Sequence, residues 1–109
     1  MNREKILRET ASFHEHLIKA LRNPQEAKAY LQVALEEYQQ DGDTEFFLTA
    51  LRDIAEAKGG MGPLAKQTKL NRQSLYQILS GKGNPTLNTL NVILKSLGFR
   101  LAVEVIESS

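Results

Sequence analysis

The sequence contains no cysteine, and it lacks any apolar run of the roughly 18 residues that would be needed to cross a bilayer. The absence of cysteine excludes disulfide bonds and cysteine-ligated zinc, so nothing indicates an oxidising compartment. Charges are spread through the first residues, which therefore lack the apolar centre of a signal peptide. Together these absences predict a soluble, cytoplasmic protein that makes no contact with a membrane.

Motifs for enzymatic chemistry are also missing, since the chain has no phosphate loop, no nucleophile elbow and no catalytic context for paired carboxylates. His14 and His16 are two residues apart and would face different sides of a helix, and no third metal ligand is evident. We therefore predict no enzymatic activity, no metal site and no cofactor.

Acidic residues are absent from one long stretch of the chain. Residues 57–103 contain seven Lys or Arg and no Asp or Glu, whereas residues 1–56 contain seven basic against eleven acidic residues. Positive charge without neighbouring carboxylates is typical of a protein that approaches a phosphate backbone. An ordinary solvated surface explains the charge alone equally well, so a prediction of nucleic-acid binding also needs a structural motif.

The apolar periodicity predicts a mainly α fold with one helical domain over residues 23–98, preceded by a partly helical segment, residues 1–22. The first helix of the domain is expected to start at Asn23-Pro24, and the second is expected to be capped by Thr44. The inward residues predicted for the first helix are Ala27, Tyr30, Leu31, Ala34, Leu35 and Tyr38. Those predicted for the last helix are Leu87, Leu90, Ile93, Leu94 and Leu97.

Two short helices joined by a tight turn are predicted between residues 61 and 79, the arrangement of a phage-repressor-like helix-turn-helix. The first helix runs from Leu64 to Thr68 after Gly62-Pro63, and Asn71 caps the second. A turn of this kind often holds glycine where this chain has Lys69. We therefore expect a left-handed backbone angle at a residue that has a side chain.

The outer face of the second helix carries side chains that can hydrogen-bond to DNA bases. Arginine suits guanine, glutamine and asparagine suit adenine, and tyrosine can reach a phosphate or a thymine methyl. The predicted base-reading residues are Asn71, Arg72, Gln73, Tyr76 and Gln77. The predicted phosphate contacts are Lys69, Lys82 and Asn84. Any exposed helix has a polar face, but here it coincides with the turn and the missing carboxylates, and the combination predicts DNA binding.

Three segments carry a further signal: Leu64-Ala65-Lys66-Gln67-Thr68, the run from Leu75-Tyr76 through Ser80-Gly81-Lys82-Gly83-Asn84-Pro85-Thr86-Leu87, and Leu97-Gly98-Phe99-Arg100-Leu101. With them the sequence resembles the addiction-module antidote family over residues 23–106. The resemblance implies an antitoxin of a type II toxin-antitoxin operon, which binds a small ribonuclease-like toxin and acts as a repressor at its own operator. It also places base reading on the matching helix face. A stand-alone repressor without a toxin, and an adaptor without DNA binding, are the alternatives.

After Gly98 the pattern changes to the twofold alternation of a β-strand, with Phe99, Leu101, Val103 and Val105 as its apolar side. A lone strand needs a partner, which can be a second copy of the chain, the N-terminal segment or an edge of the toxin. We favour self-pairing in a homodimer, because two recognition helices would then lie about 34 Å apart on a palindromic operator. The remaining possibility is that residues 99–109 form a frayed tail.

Overall fold

Six α-helices and no β-strand make up residues 11–107, the part of the chain that the computed structural model describes. The helices are α1 (Ala11–Ala20), α2 (Pro24–Asp41), α3 (Glu45–Ala57), α4 (Met61–Thr68), α5 (Arg72–Ile78) and α6 (Leu87–Ser96). The mainly α prediction is confirmed. None of these helices is both long enough and apolar enough to pass through a membrane. Of the predicted N-terminal segment, residues 11–20 are helical, and residues 1–10 lie outside the described part of the chain.

Helix α2 begins where its sequence predicts and is capped at both ends. The Asn23 side chain accepts a hydrogen bond from the backbone N–H of Gln25 at 2.9 Å, and Pro24 occupies the first turn. At the other end Gly42 takes a left-handed conformation, φ 74°, and its N–H donates to the carbonyl of Tyr38.

The buried face of α2 is narrower than predicted. Ala27, Leu31 and Ala34 are buried, whereas Leu35 and Tyr38 are exposed. Leu35 is turned about 100° around the helix from Ala34, and Tyr38 lies in the last turn, beyond the buried residues. The apolar stripe of the sequence is therefore wider than the contact that α2 makes.

Helix α3 lies at the centre of the fold and packs against α1, α2 and α4. Its buried residues are Leu48, Ala50, Leu51, Ile54 and Ala55. The predicted cap at Thr44 is wrong, because Thr44 has helical backbone angles and its side chain makes no capping bond. The side chain of Asp43 instead accepts a hydrogen bond from the N–H of Glu45 at 2.9 Å.

Helices α4, α5 and α6 form the second half of the fold, with α4 packed against both of the others. Helix α4 starts at Met61, earlier than predicted, and Thr86 caps α6 by accepting a hydrogen bond from the N–H of Thr89 at 3.2 Å. The predicted burial of Leu87 is wrong, since its side chain is 73% exposed. Leu87 is the first residue of α6, and side chains tilt towards a helix N-terminus, so it extends past the packed turns.

The predicted C-terminal strand is absent from the described residues. Phe99 packs against the core, and its N–H donates to the carbonyl of Leu94 at 2.8 Å. Residues 101–107 have no regular secondary structure and are all exposed, including Leu101, Val103 and Val105. A strand is formed by hydrogen bonds to a neighbouring strand, and within residues 11–107 there is no second strand to supply them.

A half-buried carboxyl group joins α2 to α3. The hydroxyl of Tyr30 donates to Oδ2 of Asp53 at 2.8 Å, and the Tyr30 ring meets Phe46 edge-on at 5.7 Å. Burial raises the pKa of Asp53, an effect that the hydrogen bond from Tyr30 partly opposes. The ionised form of Asp53 is therefore less stable in the folded protein than in the unfolded chain.

The substitution Asp53→Asn is expected to increase the free energy of unfolding at pH 7. The asparagine oxygen still accepts from Tyr30, while the desolvated charge is removed. A pKa shift of one full unit corresponds to about 1.4 kcal/mol. The gain in the free energy of unfolding should be only a fraction of this value, because the carboxyl group of Asp53 remains partly hydrated. Urea unfolding as a function of pH measures it.

The pH dependence tests the cause of this gain. A raised carboxyl pKa stabilises the fold fully below the unfolded value of about 3.9, and that stability is lost as the pH rises through the folded pKa. The two proteins should therefore diverge with rising pH above about 4. A pH-independent difference would contradict desolvation as the cause.

Candidate nucleic-acid interface

Helices α4 and α5 are separated by only three residues, Lys69 to Asn71. Lys69 has φ 62° and ψ 20°, which confirms the expected left-handed conformation at a residue with a side chain. Such a conformation costs roughly 1–2 kcal/mol. The hydroxyl of Thr68 makes hydrogen bonds to residues before and after the turn. It donates to the carbonyl of Leu64 at 2.8 Å and accepts from the N–H of Leu70 at 3.3 Å.

Asn71 fixes the start of α5, as predicted. Its Oδ1 accepts a hydrogen bond from the N–H of Ser74 at 2.7 Å. This bond commits the side-chain oxygen to the end of the helix. An adenine contact uses the oxygen and the NH₂ of an asparagine together. Asn71 is therefore the least available of the five predicted base-reading residues.

Helix α5 has two chemically distinct faces. Leu75 is completely buried, as is Leu79 just after the helix, and Ile78 is half-buried against the core. The opposite face carries polar side chains that are all exposed: Arg72, Gln73, Tyr76 and Gln77. The predicted division of this segment into inward apolar and outward polar residues is confirmed. Within residues 11–107 all four of these side chains remain exposed to solvent.

A tight loop follows α5 and carries two of the predicted phosphate contacts, Lys82 and Asn84. Both are exposed, as is Lys69 before the helix. A Cβ added to Gly83 would lie 1.9 Å from the carbonyl oxygen of Ile78, so only glycine fits there. Because of this close approach, the loop is held against the end of α5, and the exposed cations lie before and after the polar face.

A groove of about 340 Å³ lies beside the polar face and was not predicted from the sequence. Arg72 and Tyr76 of α5 line it together with Thr49 and Arg52 of α3. Arg52 is the only Lys or Arg between Lys28 and Lys58, in a region rich in acidic residues. This isolated positive charge is the one feature of the sequence that could have pointed to the groove. Its proximity to α5 depends on helix packing, which the local pattern does not contain.

Two carboxyl groups, those of Asp53 and Glu56, also line this groove, and each has a hydrogen-bond partner. His14 Nε2 lies 2.6 Å from Glu56 Oε2, which links α1 to α3, and Asp53 accepts from Tyr30. Both members of the His14–Glu56 pair are about half exposed, so the pair contributes little to stability. No three side chains of the types that bind metals lie together within residues 11–107.

Comparison with known proteins identifies a matching family and a curated relative. The family described as "Probable addiction module antidote protein" matches residues 5–105, which is most of the chain. An uncharacterized protein of Haemophilus influenzae (strain ATCC 51907 / DSM 11121 / KW20 / Rd) is 38% identical over 74 residues, which cover 68% of this chain and 75% of that protein. No solved structure gives a significant match.

Proposed function

The chain belongs to the family of probable addiction module antidote proteins, and from this we propose that it is a sequence-specific DNA-binding antitoxin of a type II toxin-antitoxin module. It neutralises a small ribonuclease-like toxin and represses its own operon. The observation that carries the DNA-binding part is the exposed polar face of α5, which stands directly above completely buried Leu75 and Leu79.

The two short helices and the left-handed turn at Lys69 act as a helix-turn-helix, in which α5 enters the major groove. Arg72, Gln73 and Gln77 form hydrogen bonds to base edges, and Tyr76 contacts a phosphate or a thymine methyl. Lys69 and Lys82 bind phosphates before and after the helix, which sets its position on the duplex. The absence of any carboxylate from residues 57–103 supports this arrangement.

Repression and neutralisation use different parts of the protein in this proposal. A homodimer presents two α5 helices to a palindromic operator, and occupancy of that operator blocks transcription. In this proposal the toxin binds outside the exposed face of α5, so neutralisation of the toxin does not depend on the base-reading residues. A single substitution can therefore separate the two activities.

The change Gln73→Ala is expected to lower the affinity for the chain's own promoter about 5- to 150-fold, since a lost bidentate base contact costs about 1–3 kcal/mol of discrimination. Affinity for unrelated DNA should stay the same. Titration of both DNAs with the purified protein measures the effect. Gln39→Ala, on the exposed surface of α2, is the matched control and should bind like the wild type.

Expression together with the toxin gene from the same operon tests the antidote activity. The wild type and Gln73→Ala should both restore growth and copurify with the toxin. Promoter binding by the wild type without any rescue of growth would favour the alternative, a repressor with no toxin partner. An equal loss of affinity for both DNAs in Gln73→Ala would instead mean that Gln73 contacts a phosphate.

A further inference from the structure

The groove between α1, α3 and α5 brings one arginine of α3, Arg52, next to the polar face of α5. Thr49 and Arg52 are one turn apart on α3, both are exposed, and they line the same groove as Arg72 and Tyr76. The groove volume of about 340 Å³ is roughly ten times that of a water molecule, so a phosphate group and its hydration fit within it.

Arg52 is available to bind a ligand. It makes no ion pair with any side chain of the described region, where the one such pair joins His14 to Glu56. The two carboxyl groups that line the groove with it, those of Asp53 and Glu56, accept hydrogen bonds from Tyr30 and His14. The guanidinium group of Arg52 has five N–H donors, and no side chain of residues 11–107 forms an ion pair with it.

We propose that this groove is a phosphate-binding site for operator DNA, in which Arg52 and Thr49 hold the backbone next to the bases contacted by Arg72 and Tyr76. The planar fork of an arginine matches two phosphate oxygens, and a threonine hydroxyl can donate to a third. This site rests on the proposed DNA binding. It extends the DNA-contacting surface from residues 57–103 to α3. It also explains why a region rich in acidic residues exposes one arginine beside α5.

The test compares Arg52→Ala and Arg52→Lys with the wild type on promoter DNA and on unrelated DNA over a range of salt concentrations. Loss of one phosphate contact makes the slope of log affinity against log salt concentration shallower by about 0.9. At 0.1 M salt this change corresponds to an affinity about eightfold lower. We expect Arg52→Ala to bind both DNAs about eightfold more weakly, with this smaller slope. Arg52→Lys should keep the wild-type slope, because it keeps the charge.

Lys28→Ala is the matched control, since it removes one positive charge from the exposed surface of α2. Identical binding by Arg52→Ala and Lys28→Ala would overturn the proposed site, and so would a loss confined to promoter DNA with an unchanged slope. Both results leave the proposed function standing, because wild-type binding is measured in the same titrations. Failure of the wild type itself to bind its promoter would overturn the proposed function first. Circular dichroism of each variant confirms that it is folded.

Discussion

When residues 101–109 are deleted, the homodimer that we propose is expected to become a monomer, and its affinity for a palindromic operator is expected to fall by about 100- to 10,000-fold. When two DNA-binding units are linked, the second binds at a high effective concentration, and avidity of this size is lost when they separate. The deletion leaves Phe99 in place, because that side chain packs against the core. Light scattering measures the mass, and titration of promoter DNA measures the affinity.

The reason for this expectation is the apolar surface that the single chain leaves in water. Val103 is 97% exposed and Val105 is 89% exposed, although both are typical of buried strands. Residues 101–107 are all exposed and have no regular secondary structure, so a strand of a partner chain could pair with them. Pairing with the same segment of a second copy would satisfy these groups and would bury the valines.

A double substitution of the two valines, Val103→Lys and Val105→Lys, keeps the full length of the chain and should also give a monomer. The control is Glu104→Gln, which changes the neighbouring position on the other side of a strand and should leave the dimer intact. A mass that is unchanged by the deletion would contradict the proposal. A dimeric mass with lost operator affinity would mean that the segment contacts DNA and not its own copy.

Several features of the fold could be predicted because short-range chemistry determines them. The left-handed backbone at Lys69 and the cap at Asn71 depend on residues within one turn of the chain. The burial of Leu75 on the side of α5 opposite exposed Gln73 and Gln77 follows from the helical repeat of 3.6 residues. These features define the candidate interface, and the sequence contains enough information to locate it.

Other features depend on contacts between distant segments and could not be predicted. The helical period places Leu87 on the buried stripe of α6, but this first residue of the helix is 73% exposed. The alternation of residues 99–105 describes a strand, but whether one forms depends on a partner chain. Arg52 comes to line a groove with Arg72 because α3 packs beside the second half of the fold, and neither segment encodes that approach alone.

The substitution Leu75→Ala is expected to lower the free energy of unfolding by about 2–5 kcal/mol. Leu75 is completely buried beneath α5, so the smaller side chain loses apolar contacts and leaves a cavity that the surrounding helices fill only in part. A domain of this size has a total stability of about 5–15 kcal/mol, so the loss is a large share of it. Urea unfolding at a fixed protein concentration measures the change, because the stability of the homodimer that we propose depends on concentration.

The same chemical change at an exposed leucine, Leu87→Ala, is the control and should alter stability by no more than about 0.5 kcal/mol. An equal loss at both positions would contradict the exposure of Leu87 in the free subunit.

Operator binding then distinguishes a residue that supports the helix from a residue that contacts the DNA. Leu75→Ala should weaken binding only to the extent that the protein is unfolded, so that affinity per folded molecule stays at the wild-type value. Gln73→Ala should weaken binding with its stability unchanged, since Leu75 holds the helix in place and Gln73 reads the base.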